Sequence, residues 1–146
     1  MAASSQSARV ARRTAPIVLD SDQADQLESL ATGAMRRTPE LAEKLLGEIA
    51  RARIVSPPRL RPDIVALGRE VVFRDETTGR EHTVVLVLPQ DADIDKGRTS
   101  VMTPIGVALI GLREGASLTW ETRDGETRKL TVIRVSPAAD RSGEKR

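Results

Sequence analysis

Near the start of the chain, apolar residues recur every three or four positions, which is the period of a helix. The run from Asp20 to Gly33 predicts one helix, with Asp20 or Ser21 placed to accept the free N–H groups of its first turn. A second run follows Thr38-Pro39, where Thr38 is predicted to cap and Pro39 to fill the first helical position. Two such helices form an antiparallel hairpin, which is marginal alone in water and must pack against the rest of the chain.

After residue 62 the apolar period changes to two, which predicts strands. The strand candidates are residues 70–75, 82–88, 99–102, 117–122 and 129–135. The segment 82–88 is apolar on both faces and is therefore predicted to be central in the sheet. Thr103-Pro104 predicts the start of a short helix that ends at Gly111. The fold class is α+β, a twisted and mainly antiparallel sheet with one short helix behind a helical hairpin.

Composition changes along the chain in a way that suggests its organisation. The prolines of residues 56–62 (SPPRLRP) favour an extended linker. Both ends of the chain consist mainly of small and polar residues with several arginines. An acid-free, Ser- and Arg-containing start also fits a transit peptide, but short basic tails are common on cytoplasmic proteins, which is where we expect this one. The expected division is a disordered tail over 1–15, the hairpin over 16–55, the linker over 56–62, the sheet domain over 63–137 and a second disordered tail over 138–146.

The composition excludes several classes of protein. With 146 residues, no Cys and one His, the chain offers no thiolate, no disulfide and no complete zinc ligand set. No apolar run approaches the roughly 20 residues of a membrane span. The formal charge of +2 comes from the tails, so a basic groove is not expected, and only two aromatic residues are present for base stacking. We expect no membrane contact and no direct sequence-specific nucleic-acid binding.

Other candidate sites fail on chemistry or spacing. Asp91, Asp93 and Asp95 alternate as in a calcium loop, but the Gly and the Glu that such a loop requires are not at the right offsets, so a solvated turn is favoured. His82 has no adjacent Ser and acid to form a catalytic triad. Trp120 alternates with a leucine and is interpreted as part of the core. No cofactor, metal or catalytic residue is predicted.

Residues 100–111, which read SVMTPIGVALIG, and the following Gly115 and Trp120 carry the most specific pattern of the chain. This segment resembles the signature of the Gre-factor C-terminal domain, whose fold is FKBP-like, and the resemblance extends over about residues 56–136. The short helical hairpin, Ser56-Pro57 and residues 63–65 and 71–74 are similar to one branch, the Rnk family, named as regulators of nucleoside diphosphate kinase.

The resemblance implies a bacterial protein that docks on RNA polymerase at the rim of the secondary channel. Gre factors have a much longer hairpin with acidic residues at its tip, which position a metal for transcript cleavage. Here the tip carries Arg36 and Arg37, and hard metals require anionic or carbonyl oxygen ligands. Binding without cleavage, in competition with Gre factors, is therefore the favoured mechanism. The expected partner-binding residues are Ser100, Met102, Thr103, Pro104, Arg36 and Arg37.

Two alternatives remain. The protein could regulate the level or activity of nucleoside diphosphate kinase, directly or through transcription. It could also be an enzyme, either a transcript-cleavage factor or a prolyl isomerase. The basic hairpin tip argues against a transcript-cleavage factor. Prolyl isomerases of this fold use a pocket walled by several aromatic side chains, and this chain offers only Phe73 and Trp120.

Overall fold

The computed structural model describes residues 15–121 and 124–137, except for the side chain of Glu121. Of the expected tails over residues 1–15 and 138–146, residues 1–14 and 138–146 lie outside the described residues. Ala15, expected to be in the first tail, instead packs against the core, and its carbonyl accepts from the Arg51 guanidinium at 2.7 Å. The helices are α1 (Ser21–Gly33), α2 (Pro39–Arg51) and α3 (Pro104–Leu109). The strands are β1 (Val18–Asp20), β2 (Arg53–Val55), β3 (Glu70–Asp75), β4 (Arg80–Val87), β5 (Arg98–Ser100), β6 (Ser117–Glu121) and β7 (Thr127–Ser136).

The main sheet has five strands in the order β5-β4-β3-β7-β6. All neighbouring strands are antiparallel except β4 and β5, and a register shift between Val72 and Phe73 interrupts the pairing of β3 with β7. The α+β class and the mainly antiparallel sheet are thus confirmed. The segment predicted to be central, β4, lies beside the middle strand β3, but its first four residues are exposed and its buried residues come late, at Val85 and Leu86.

Both predicted helices are present, but they begin in different ways. The Asp20 carboxylate accepts a hydrogen bond of 2.8 Å from the Gln23 N–H, which is the expected cap of α1. Pro39 occupies the first turn of α2, as predicted. The prediction that Thr38 caps α2 is wrong, because its hydroxyl donates backward to the Ala34 carbonyl, with an O···O distance of 3.4 Å, and makes no cap bond.

The hairpin and the sheet share one apolar core. Leu27 of α1 and Leu45 of α2 are fully buried in the same cluster as Val71 of β3, Leu86 of β4 and Leu130 of β7. This packing supplies the apolar partner that a pair of 13-residue helices needs, since isolated helices of that length are marginal in water. The hairpin is therefore part of the folded body.

A short parallel sheet, which the sequence pattern did not predict, closes the base of the hairpin. Strand β1 before α1 pairs in parallel with β2 after α2, with Leu19 opposite Ile54. The segment interpreted as an extended linker differs too: Pro57–Arg59 forms a 3-10 turn, and Leu60 is buried with Ile64 and Ala66. The connection from the hairpin to the sheet is thus partly buried and is not an extended linker.

Gly111 joins the hairpin base to the sheet domain. Its carbonyl accepts from the Val18 N–H at 2.9 Å, and its own N–H donates to the Val65 carbonyl at 2.9 Å. Its φ of +84° favours glycine, and a Cβ there would lie 2.9 Å from the Ile17 Cβ and 3.2 Å from the Val18 carbonyl oxygen. The absence of a side chain therefore permits the approach of the two parts of the chain.

A buried polar contact supports the same junction. The Gln23 amide nitrogen donates to the Asp20 carboxylate at 2.9 Å, and its amide oxygen accepts from the Leu67 N–H at 2.8 Å. Asp20 and Gln23 are both buried. Because buried polar groups are costly when unpaired, this chain of bonds ties the start of α1 to the segment before β3.

Asp75 forms an ion pair inside the main sheet. Its carboxylate accepts from the Thr77 N–H at 2.9 Å and from the Arg128 guanidinium of β7 at 2.7 Å. Burial alone raises the pKa of the Asp75 carboxyl, but the Thr77 N–H and the Arg128 charge outweigh it and hold the pKa below its ordinary value.

The Gly111 contact can be tested against a second glycine that has a similar positive φ. Gly115 has φ +89° and no atom within 4 Å of a Cβ position. Gly115→Ala should cost about 1–2 kcal/mol of unfolding free energy through strain alone. Gly111→Ala should cost about 1–3 kcal/mol more, because its Cβ meets Ile17. Urea denaturation measures both values, and equal losses would contradict the close-approach account.

The Asp75 pair predicts a pH dependence of stability. The carboxyl has an ordinary pKa in the unfolded chain and a lower one in the folded chain, so its contribution is present at neutral pH and is lost as pH falls through the folded pKa. Asp75→Asn should destabilise at pH 7, and the difference from the unmodified protein should shrink in acid. Glu81→Gln, which removes an exposed partner of Arg74, should change little at any pH. A difference for Asp75→Asn that stays constant down to acid would contradict the assignment.

Candidate protein-docking site

The loop of residues 100–104 connects the edge strand β5 to α3, and its hydroxyl groups bond within the loop. The Ser100 hydroxyl oxygen accepts from the Met102 N–H at 2.9 Å. The Thr103 hydroxyl donates to the Ser100 carbonyl at 2.8 Å and accepts from the Gly106 N–H at 3.1 Å, which caps α3. The helix start predicted at Thr103-Pro104 is confirmed, and both hydroxyls have structural roles.

Gly106 lets the loop fold tightly against α3. A Cβ at this position would lie 2.6 Å from the Val101 carbonyl oxygen and 2.7 Å from the Ser100 carbonyl oxygen. Real Cβ atoms do not approach backbone that closely, so only glycine permits this packing. The glycine at position 106 of the segment 100–111 is thus required by the geometry of the loop.

Ser100, Met102, Thr103 and Pro104 are all half-buried, so each presents part of its surface to solvent. Met102 also packs against the main core. The hydroxyls of Ser100 and Thr103 already bond within the loop, so Met102 and Pro104 are the side chains of this loop that offer a purely apolar surface. An apolar contact through Met102 stays a prediction.

Arg36 and Arg37 lie in the turn between α1 and α2, and both are exposed. The turn is held by the Ala34 carbonyl, which accepts from the N–H groups of Arg37 at 3.1 Å and Thr38 at 2.9 Å. The structure places the four loop residues together, whereas the arginines belong to a different element. The tip of the hairpin thus presents two cations, as the sequence indicated.

The structure also shows an exposed apolar residue that sequence reasoning missed. Ile94 is 91% exposed in a 3-10 turn (Ile94–Lys96) that precedes β5. The acidic segment around it was interpreted only as a solvated turn. The available signal was an isoleucine placed between Asp93 and Asp95, where a solvated turn has no need of an apolar side chain.

The remaining candidates have plain structural surroundings. His82 is exposed and stacks on Phe73, with ring centroids 5.2 Å apart. Trp120, expected in the core, is only partly buried, although it packs against the core cluster.

Within residues 15–121 and 124–137, no group of three or more His, Cys, Asp and Glu side chains is arranged to hold a metal ion. No helix of that part of the chain is long and apolar enough to cross a membrane.

Comparison with known proteins gives the context of this loop. Residues 60–137 match the family model of the C-terminal domain of the transcription elongation factors GreA and GreB, and residues 16–55 match the Rnk N-terminus. The fold and the loop thus define a protein of the GreA/GreB C-terminal class. With both models matched, the chain belongs to the Rnk family.

Individual relatives agree with this placement. The chain is 29% identical over 128 residues, 88% of its length and 94% of the relative's, to the regulator of nucleoside diphosphate kinase of Escherichia coli K12. It is 35% identical over 112 residues to GreA of Azorhizobium caulinodans, covering 77% of this chain and 66% of that one. A solved GreA/GreB elongation factor from Nitrosomonas europaea superposes with a TM-score of 0.66 at 30% identity, covering 83% of this chain and 98% of that one.

The loop geometry predicts different costs for two threonines at helix starts. Thr103→Ala removes a cap bond and a bond to the Ser100 carbonyl, and it should cost about 1–2 kcal/mol of unfolding free energy. Thr38→Ala is the matched control: it removes no cap bond and should cost well under 1 kcal/mol. Thermal or urea unfolding gives both values. A larger loss at Thr38 would show that the caps are wrongly assigned.

Proposed function

We propose that this protein is a non-enzymatic transcription regulator of the bacterial cytoplasm. It binds RNA polymerase at the rim of the secondary channel and competes there with Gre factors without stimulating transcript cleavage. The observation that carries the proposal is the combination of a GreA/GreB C-terminal domain with a hairpin whose tip is basic. The C-terminal domain supports a docking surface shared with Gre factors, and the basic tip supports docking without cleavage.

The docking surface in this proposal is the loop of residues 100–104. Its backbone is fixed by the bonds of Ser100 and Thr103 and by the close packing at Gly106. A loop that is already ordered loses little conformational entropy on binding, which favours affinity. Met102 and Pro104 then supply the apolar contact, while Ser100 and Thr103 hold them in place.

The hairpin explains why docking would not lead to cleavage. Each helix has 13 residues and is therefore about 20 Å long, and the pair is packed against the sheet through a common core. A tip held so near the body cannot extend far into a channel. Even at the active site, the guanidinium groups of Arg36 and Arg37 would repel a divalent metal, which requires oxygen ligands.

A second candidate function is regulation of nucleoside diphosphate kinase. It is favoured by the name of the Escherichia coli relative, which matches over nearly the whole of both chains. We propose that any such effect is indirect, through transcription, because the C-terminal domain matches that of the transcription elongation factors GreA and GreB. Direct binding of the purified kinase to this protein would favour the alternative.

The test is a cleavage assay on a backtracked transcription complex. The protein alone should release no cleaved RNA, and in excess it should suppress cleavage by an added Gre factor, because both compete for one site by mass action. Met102→Asp, which places a charge on the apolar loop surface, should weaken the suppression. Thr77→Asp, on the exposed turn between β3 and β4, is the control and should leave suppression unchanged.

Two results would contradict the proposal. Cleavage stimulated by the unmodified protein would show that it is a cleavage factor. A Gre factor that stays fully active at every ratio would show that the rim is not shared.

A further inference from the structure

Ile94 is the most exposed large apolar side chain in the described part of the protein. Ile94 is 91% exposed, whereas Ile54 on β2 is 46% exposed. Ile94 therefore contributes almost nothing to the core. Its side chain is available for a contact outside the chain.

The backbone around Ile94 is fixed. Residues Asp93 and Arg98 exchange two backbone hydrogen bonds of 2.9 Å, so the intervening residues close into a loop. The Asp93 carboxylate accepts from the Asp95 N–H at 3.1 Å, and Gly97 ends the turn with φ +71°. The Gly97 carbonyl in turn accepts from the Val85 N–H of β4 at 2.9 Å. Ile94 is thus presented on a turn attached to the main sheet.

Carboxylates outnumber cations around Ile94, because residues 91–98 hold three acids, Asp91, Asp93 and Asp95, against Lys96 and Arg98. Asp91 and Asp95 are exposed on either side of it, and neither forms an ion pair with another described residue. An apolar side chain between two unpaired carboxylates complements an apolar pocket bordered by lysine or arginine side chains. With three acids against two bases in residues 91–98, the segment has a slight negative excess, which does not favour an anionic surface such as a membrane or a nucleic acid.

The position of Ile94 connects it to the docking loop. The turn Ile94–Lys96 leads directly into β5, and Ser100 at the end of β5 begins the loop of residues 100–104. Strand β5 lies at the edge of the sheet and has only three residues, about 10 Å. Ile94 and Met102 thus flank one short edge strand, and a partner of ordinary interface size would span both.

We propose that Ile94 is the apolar anchor of a second contact with RNA polymerase and that it enters an apolar pocket bordered by basic side chains. The contact presupposes the polymerase binding proposed above and extends the docking surface along β5. Asp91 and Asp95 steer the approach, and Ile94 supplies the desolvated centre. Its loss should therefore raise the dissociation rate, while loss of the carboxylates should reduce the dependence of binding on salt.

The experiment is a fluorescence-anisotropy titration of the protein with purified bacterial RNA polymerase. Because the chain has no Cys, Thr77→Cys in the exposed turn between β3 and β4 gives every variant a single labelling site. Ile94→Ser should raise Kd by about tenfold with an unchanged melting temperature. Ile54→Ser is the matched control at a partly exposed isoleucine on a different sheet, and it should change Kd by less than about twofold. Asp91→Asn together with Asp95→Asn should flatten the dependence of Kd on salt.

The outcomes separate the two proposals. If Ile94→Ser binds as the unmodified protein does while Met102→Asp binds weakly, the Ile94 contact is wrong and the proposed function stands. Equal losses for Ile94→Ser and Ile54→Ser would overturn the contact as well, because the effect would then be general. If the unmodified protein does not bind polymerase, both proposals fail.

Discussion

The structure depends on the close contact at Gly111. A residue with a positive φ and no side chain ends the connection from α3 and allows the base of the hairpin to pack against it. With that approach in place, the helices bury Leu27 and Leu45 in the core of the sheet rather than in a separate core. The buried bonds of Gln23 reinforce the arrangement. The hairpin is held to the body, and that constraint sets how far its tip can reach.

The residues that define the pattern of the loop have structural roles in it. In the loop of residues 100–104, the hydroxyls of Ser100 and Thr103 and the missing side chain of Gly106 all build the loop itself. These bonds and this close packing fix the backbone of the loop. On our proposals, the apolar side chains of Met102 and Ile94 meet the partner, so the same scaffold can serve different partners through changes at a few exposed positions.

Local patterns predicted most of the fold and only part of the site. Signals that involve only a few neighbouring residues predicted elements correctly: the cap at Asp20, the prolines at helix starts and the alternation in β3 and β7. The pairing of β1 with β2 joins segments more than thirty residues apart, and three-residue strands are too short to show a period. Thr38 failed as a cap because its hydroxyl found the Ala34 carbonyl instead. Ile94 was overlooked because exposure is set by tertiary structure, whereas an isolated isoleucine is equally compatible with burial.

Our central proposal is that the edge formed by the turn Ile94–Lys96, β5 and the loop of residues 100–104 binds RNA polymerase. Amide hydrogen exchange of the protein, free and in complex with purified polymerase, measures this directly. We predict that binding slows exchange in residues 94–104 and leaves the turn between β3 and β4 unchanged. Unchanged exchange throughout residues 94–104 in a complex that demonstrably forms would contradict the account.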